Sequence, residues 1–433
     1  MSSILHGGTV AANLNASARK PLVLRNRFQL IGGIVFSVFL PYLLTFPFVE
    51  YFWNDQSKVN TMAASFGAVL IGFYLHRRMT NFPGVQATFY IPPIFMGSFA
   101  LFAFLFLITR VEYSRYLFFA ALMLSQVWFY AVHVMTRRLR QLKLAVVPDG
   151  TAGGLVSLKG VSWRVLRQAA FPTKPVDGIV VDLRSNLNDE WGRFITDAAL
   201  AGIPVFHAKN VKESLTGRVE IDHLSENVFG SLVPGLLYLK LKFAMEWCVA
   251  VLAVLAFLPV MSLIAVCIRL ESRGPVLFAQ RRMGYRGKPF TMYKFRTMTA
   301  RAAADSSADD EITEDNDPRI TACGRWLRKH RLDEIMQIFN ILRGEMSWIG
   351  PRPEAINLSK AYEAELPYYR YRHIVRPGIT GWAQVNQGHV ADLEDVHEKL
   401  YFDFYYIKHC SLWLDILIAL RTVRTMIYGI GAK

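Results

Sequence analysis

The chain has 433 residues, room for two or three domains. It is 52% hydrophobic with 30 Phe, yet 49 Lys and Arg outnumber 34 Asp and Glu, for a formal net charge of +15. Such a balance argues against an ordinary soluble globular protein. Without a basic–aromatic repeat, zinc finger or basic zipper, no nucleic acid partner is expected; the expected partners are anionic membrane faces and phosphorylated ligands. The four cysteines, Cys248, Cys267, Cys323 and Cys410, have no CxxC spacing and read as small buried hydrophobes. No HExxH occurs, and the first apolar run lacks a small-residue cleavage site, so it is expected to be retained.

Four apolar stretches come first: Phe28–Val49, Val59–Leu75, Ala87–Thr109 and Tyr116–Met135. None contains Asp, Glu, Lys or Arg, and each is long enough to span hydrocarbon as a helix. Arg19, Lys20, Arg25 and Arg27 precede the first, HRR follows the second and TRRLRQLK follows the fourth. The positive-inside rule then places the N-terminus and everything after Thr136 in the cytoplasm. Next, LAVVPDG, GIVVDLR, NDEWGRFITDAALAG and IPVFHAK alternate as βαβ units do. The Gly-rich DGTAGG after the first strand is not GxGxxG, so a spacer or dimerisation module, and hence a homodimer, is expected rather than a nucleotide site.

A fifth apolar stretch, Trp247–Ile268, has Pro259 in its middle. Proline removes a backbone donor and clashes with the preceding turn, which kinks or breaks a helix. Two topologies stay open on physics alone. A kinked span would export the basic tail; a re-entrant break at Pro259 would return it to the side of entry.

The hairpin pattern ESRGPVLFAQRRMGYRGKPFTMYKFRTM follows, with outward cations and Gly turns. The acidic run DDEITEDND then reads as a solvated loop. In HRLDEIMQIFNILRG, Leu332, Ile335, Ile338, Phe339 and Leu342 recur at helical steps, predicting an amphipathic helix of about three turns that Gly344 ends. Asp333 and Glu334 fall in its first turn, where two acids by themselves only complement the helix dipole. Here, however, they sit among arginines, which are expected to hold a carboxylate ionised. An ionised Asp333 is a candidate nucleophile on phosphorus. Glu334, with Asp333, is a candidate ligand for Mg²⁺, which favours carboxylates together with substrate phosphates. Arg328 and Arg352 have the fork geometry for phosphoryl oxygens, and Pro351 and Pro353 stiffen the backbone around Arg352.

The run PVLFAQRRMGYRGKPFTMYKFRTM, then DPRIT, LRKHRLDE, QIFNILRGEMSWIGPRPE and RPGITGWAQVN closely resembles the bacterial polyprenyl-phosphate sugar-1-phosphate transferases, the monotopic phosphoglycosyl transferases. The resemblance runs from Trp247 to the end. The layout resembles the large subgroup that starts exopolysaccharide or O-antigen synthesis. It implies a membrane protein with a four-helix transmembrane region (1–140), a cytoplasmic Rossmann-like α/β domain (141–230) and an α/β catalytic domain (231–433) with a re-entrant helix broken at Pro259. It also implies a place in the bacterial inner membrane, among its lipids, with the catalytic domain facing the cytoplasm. The implied reaction takes sugar-1-phosphate from a UDP-sugar to undecaprenyl phosphate and releases UMP. Asp333 would be the nucleophile and Glu334 would help hold Mg²⁺. Arg328 and Arg352 would grip phosphates, and Lys294, Arg296 and Arg376 would line the nucleotide or membrane side. Glucose or galactose is the expected sugar. The family's usual Asp-Glu-Leu-Pro-Gln reads DEIMQ here, with Met336 in place of a Pro, and Trp348 stands where a smaller residue is common. Two rivals remain open: a cation-dependent glycosyltransferase using DDEITEDND, and a non-catalytic membrane scaffold or regulator of polysaccharide export.

Overall fold

The computed structural model describes residues 21–45, 55–80, 87–137, 142–221, 235–299, 319–387 and 393–428. DDEITEDND lies outside them. The chain divides into two units, Met1–Gly217 and Arg218–Lys433. The second begins earlier than the expected boundary at 231. Val219 N donates to Tyr401 O, and Arg218 pairs with Glu398 at 3.0 Å, which ties residues 218–219 to the catalytic unit.

In the first unit, α1 (Asn26–Ile34) continues through a π-helical turn (Val35–Phe39) into α2 (Leu40–Thr45). The helices α3 (Gln56–Met79), α4 (Ala87–Thr109) and α5 (Arg115–Arg137) follow. Among the described residues, three spans here meet the length and hydropathy of a membrane crossing: Gln56–Met79, Phe89–Thr109 and Arg115–Thr136; the expected stretch Phe28–Val49 extends beyond the described residues. The core between the helices is aromatic against small: Phe95, Phe99 and Phe129 pack with Ala64, Ala68 and Ala121. A Cβ on Gly72 would lie 2.7 Å from the Phe95 ring, so only glycine admits that ring. Large apolar side chains such as Leu107, Tyr116 and Phe119 point outward, as a lipid-facing surface requires.

The α/β part of this unit is a parallel sheet in the order β2-β1-β3-β4. Its strands are β1 (Leu142–Val146), β2 (Val161–Val165), β3 (Gly178–Val181) and β4 (Val205–His207). The predicted strands at LAVV, GIVV and PVFH and the predicted helix, here α6 (Asp189–Leu200), are all present; β2 is an addition. Asn188 caps α6 by accepting from Trp191 N. Alternate residues of β1 and β3 feed two cores. Ala145, Ile179 and Val181 face Phe194 and Ala198, while Leu144, Val146 and Val180 face Ala208 and Val211 of α7 (Ala208–Thr216). The Gly-rich stretch winds into a 3₁₀ turn, Gly150–Ser157, and Thr151 gives its N–H and hydroxyl to Asp182.

The second unit contains α8, Leu236–Glu271, which is also long and apolar enough to cross a membrane; it runs helical through Pro259, so the break expected there is not seen. Residues 255–260 are all exposed. On either side, Ala250 and the trio Met261, Ile264 and Ile268 are buried in one and the same core cluster. Cys248 and Cys267, expected to be buried, are exposed on this helix, because their positions face away from that cluster. The hairpin forms as predicted from β5 (Leu277–Met283) and β6 (Pro289–Phe295), with its turn set by Arg286 at φ 55° and Gly287 at φ 69°. Then come α9 (Ala322–Lys329), a 3₁₀ helix (Leu332–Gln337) running into α10 (Ile338–Leu342), β7 (Ser347–Ile349), α11 (Ile356–Glu365), β8 (Gly378–Thr380), α12 (Trp382–Asn386), α13 (Leu393–Lys408) and α14 (Leu412–Tyr428).

Candidate active site

The expected three-turn helix is half 3₁₀. Arg331 sits at φ 55° with no side-chain cap, so the chain enters Leu332–Gln337 tightly wound before relaxing into α10. Gly344, at φ +74°, ends the element as predicted. Met336 packs against the same core cluster as Ile338 and Ile341. Buried Asn340 anchors the element to β6 through Thr291 O at 2.7 Å. The dyad is thereby pinned against the hairpin.

The two acids differ sharply. Glu334 is 7% exposed, and its Oε1 accepts from Arg352 at 2.7 Å and from Lys294 Nζ at 3.2 Å. Burial alone would raise its carboxyl; Arg352 and Lys294 override burial and hold it far below the ordinary range. Asp333 is half-buried, and among the described residues no side chain donates it a hydrogen bond. Burial pushes its carboxyl up and the Glu334 charge pushes further, while Lys294 and Arg328 pull back. The cations thus act far more strongly on Glu334 than on Asp333. The closest cations are spent on Glu334, and Asp333 is left with desolvation and a like charge.

The cations expected to act together separate into two groups. Lys294, Arg352 and Arg328 gather at the dyad; Arg328 Nε also donates to Thr297 Oγ1 at 2.9 Å. Lys294 was expected to point outward, but it shares a strand face with Phe290 and Met292 and enters the interior. Burial lowers its ammonium below the usual value. Arg296 is buried and donates to Ser272 O, Ser272 Oγ and Arg273 O, clamping the exit of α8. Arg376 donates to Gly344 O at 2.9 Å and stacks on Phe243 and Tyr285. Neither Arg296 nor Arg376 joins the dyad. Pro259 lies in α8 at the exposed stretch between its two packed limbs.

A second buried network supports Arg352. Arg372 donates to Arg352 O at 3.0 Å and to Asp403 at 2.9 Å. Glu354 pairs with Lys399 at 2.5 Å and faces Arg372 at 3.7 Å. Burial would raise Glu354, yet Lys399 and Arg372 bring it down to about 2. Arg282 Nη1 donates to Pro353 O, and Met283 N to Glu354 O. The Pro351–Glu354 loop is therefore held by β5, by the 3₁₀ turn Tyr369–Ile374 and by α13 together. None of this network was expected beyond Arg352 itself. The only sequence signal was charge inside otherwise apolar helical patterns. No cluster of three or more His, Cys, Asp or Glu suited to a metal exists among the described residues. An all-protein cage is therefore not on offer there. Asp333 and Glu334, side by side, suit a cation that takes one or two carboxylates and completes its shell with substrate phosphates and water.

Residues 237–429 match the bacterial sugar transferase family model. The chain is 41% identical to a UDP-N-acetylgalactosamine-undecaprenyl-phosphate N-acetylgalactosaminephosphotransferase from Aeromonas hydrophila, over 93% of this chain and 94% of that one. It is 45% identical to a UDP-glucose:undecaprenyl-phosphate glucose-1-phosphate transferase from Xanthomonas campestris pv. campestris, over 41% of this chain and 37% of the relative. An Escherichia coli (strain K12) protein of the same name is 42% identical over 42% and 39%. With a relative matched along nearly its full length and the dyad set among cations, the chain belongs to the bacterial sugar transferases, enzymes that act as polyprenyl-phosphate sugar-1-phosphate transferases.

Proposed function

We propose that this enzyme transfers a sugar-1-phosphate from a UDP-sugar to undecaprenyl phosphate through a covalent Asp333 intermediate. A carboxylate oxygen of Asp333 attacks the sugar-bearing phosphorus, the bond to UMP breaks, and UMP leaves. An oxygen of the lipid phosphate then attacks the same phosphorus. The aspartyl–phosphorus bond breaks, which releases undecaprenyl-diphospho-sugar and restores the carboxylate. The observation that carries this reading is the asymmetry of the dyad: Glu334 is held through Oε1 by Arg352 and Lys294, while Asp333 has no such partner among the described residues. A carboxylate with a raised proton affinity and open lone pairs is the more nucleophilic of the two.

Arg352 and Arg328 would meet phosphoryl oxygens, a role supported by the hydrogen bond from Arg372 to Arg352 O, which steadies that backbone before substrate arrives. Mg²⁺, when bound, would neutralise the diphosphate; Asp333 and Glu334 are the residues that would hold it. The relative aligned over almost the whole chain is named for UDP-N-acetylgalactosamine, which makes an N-acetylated hexosamine the first donor to test, before glucose or galactose.

We also take α8 as re-entrant. Its limbs on both sides of Pro259 bury residues in one core cluster, which supports a chain that returns to its side of entry, with the catalytic unit on the cytoplasmic face of the inner membrane. A reporter fused after Lys433 should read cytoplasmic, and a periplasmic reading overturns this topology. For the chemistry, Asp333→Asn should abolish product. Wild type given UDP-sugar without lipid should release a sub-stoichiometric burst of UMP, with a sugar-phosphate adduct on Asp333 by mass analysis. Turnover by the Asn variant, or UMP release strictly dependent on lipid, removes the intermediate.

A further inference from the structure

A cavity of about 210 Å³ lies at the start of α8, away from the dyad. Arg376 lines it, sandwiched with its guanidinium carbon 4.3 Å from the Phe243 ring centre and 5.1 Å from that of Tyr285. Its Nε is used by Gly344 O, and no carboxylate pairs with it among the described residues. Arg286 is held at φ 55° in the hairpin turn and also lies over the Tyr285 ring, at 5.0 Å. Lys240 is exposed on α8 at the same cavity. The single lining acid, Glu246, is already paired with Lys242 at 3.1 Å and accepts from the Ser347 hydroxyl. The cavity therefore carries an uncompensated positive charge, with one arginine immobilised by two rings before any ligand binds.

None of Asp333, Glu334, Lys294, Arg328 and Arg352 lines the cavity, which is therefore distinct from the dyad. The cavity is also smaller than the roughly 300–1,000 Å³ of sites that enclose drug-sized ligands, and suits a headgroup better than a whole sugar nucleotide. Beside it, Leu236, Leu237 and Leu241 are exposed on α8. Apolar side chains there are of no use to a soluble phosphate, but they match an acyl chain lying along the helix.

We propose that this cavity binds the phosphate headgroup of an anionic membrane phospholipid, a second lipid site separate from the one where acceptor lipid reacts. Arg376 and Arg286 take the phosphate, Lys240 adds charge at the rim, and the lipid's chains run along the first limb of α8. The site secures the aqueous end of that limb against the membrane surface. It depends on α8 being membrane-associated and not on the phosphoryl-transfer mechanism.

The test is lipid retention, read without turnover. Full-length protein in detergent is equilibrated with phosphatidylglycerol and phosphatidylcholine and analysed by native mass spectrometry. Wild type should retain phosphatidylglycerol in preference to phosphatidylcholine. The double variant Lys240→Gln/Arg286→Gln, in two exposed side chains, should lower that preference roughly tenfold or more, since each cation near an anionic surface contributes on the order of 1 kcal/mol. Arg281→Gln, exposed on β5 outside the cavity, should leave it unchanged. Equal retention of the two lipids by wild type, or an unaltered preference in the double variant, overturns the proposal. Displacement of phosphatidylglycerol by UDP or inorganic phosphate overturns it too, because it would assign the cavity to a soluble phosphate.

Discussion

Lys294→Met removes one of the two cations on Glu334 while keeping a chain that fits the Phe290–Met292 face. At 3.2 Å and an effective dielectric of about 20, the direct attraction of Lys294 for Glu334 is roughly 5 kcal/mol. Most of this is offset, because burial penalises the ammonium and Glu334 keeps Arg352 at 2.7 Å. A net loss of about 1–3 kcal/mol remains, which for a domain of this size lowers the unfolding temperature by roughly 3–10 °C. The kinetic effect is more specific. Lys294 is one of the charges that draw the Asp333 carboxyl down, so its removal lets that carboxyl rise further. The nucleophile works only when deprotonated. The acid limb of the pH–rate profile therefore moves to higher pH, and the activity deficit shrinks as pH increases. Formation of undecaprenyl-diphospho-sugar, followed across pH in membranes, reads this out; Lys294→Arg should restore much of the wild-type profile. A loss uniform at all pH values, or an unmoved acid limb with full activity, would refute the coupling and leave Lys294 as a substrate contact or a spacer.

Lys399→Met should make the catalytic unit more sensitive to acid. The Glu354 carboxyl is held at about 2 against an ordinary 4.5, so its stabilisation is complete above about 4.5 and is lost as pH falls through about 2. Raising that folded value moves the acid midpoint up, visible in tryptophan fluorescence. Gly350→Ala should cost at least tenfold in turnover with the protein still inserted, because a Cβ there would meet Arg376 O at 2.3 Å and force β7 from β8. An assay of membranes normalised to protein content checks it. Gly72→Val should lower the detergent-phase unfolding temperature through the Phe95 ring at 2.7 Å, whereas Gly97→Val, where nothing lies within 4 Å, should not.

The parts of this protein that a sequence reveals are those that local periodicity controls. Apolar runs without charge become the helices of the first unit, because an unpaired backbone group in lipid leaves no other solution. GIVV is buried on both faces, as an unbroken β-branched run must be, and the Asp–Glu pair announces itself by its arginine-rich surroundings. What periodicity cannot supply is the identity of the partner. Arg328, Arg352, Arg296 and Arg376 look alike in the chain, yet two face the dyad and two turn away from it to carbonyls of Ser272, Arg273 and Gly344. A carbonyl acceptor exists at every residue, so nothing in composition marks the ones that will capture a guanidinium. Lys294 lies 40 residues before Glu334 and meets it only because the β5–β6 register turns position 294 inward. That register was partly legible: Lys294 follows Phe290 and Met292 at a spacing of two, and a cation on an otherwise apolar strand face needs a buried anion. The same reasoning applies to Glu354, Arg372, Lys399 and Asp403, which come from three separate elements and look solvated one by one. A charge that breaks an apolar face is thus the strongest hint a sequence offers of an internal ion pair. Here every such charge near the dyad stands behind Glu334 or Arg352, which leaves Asp333 as the acid with room to react.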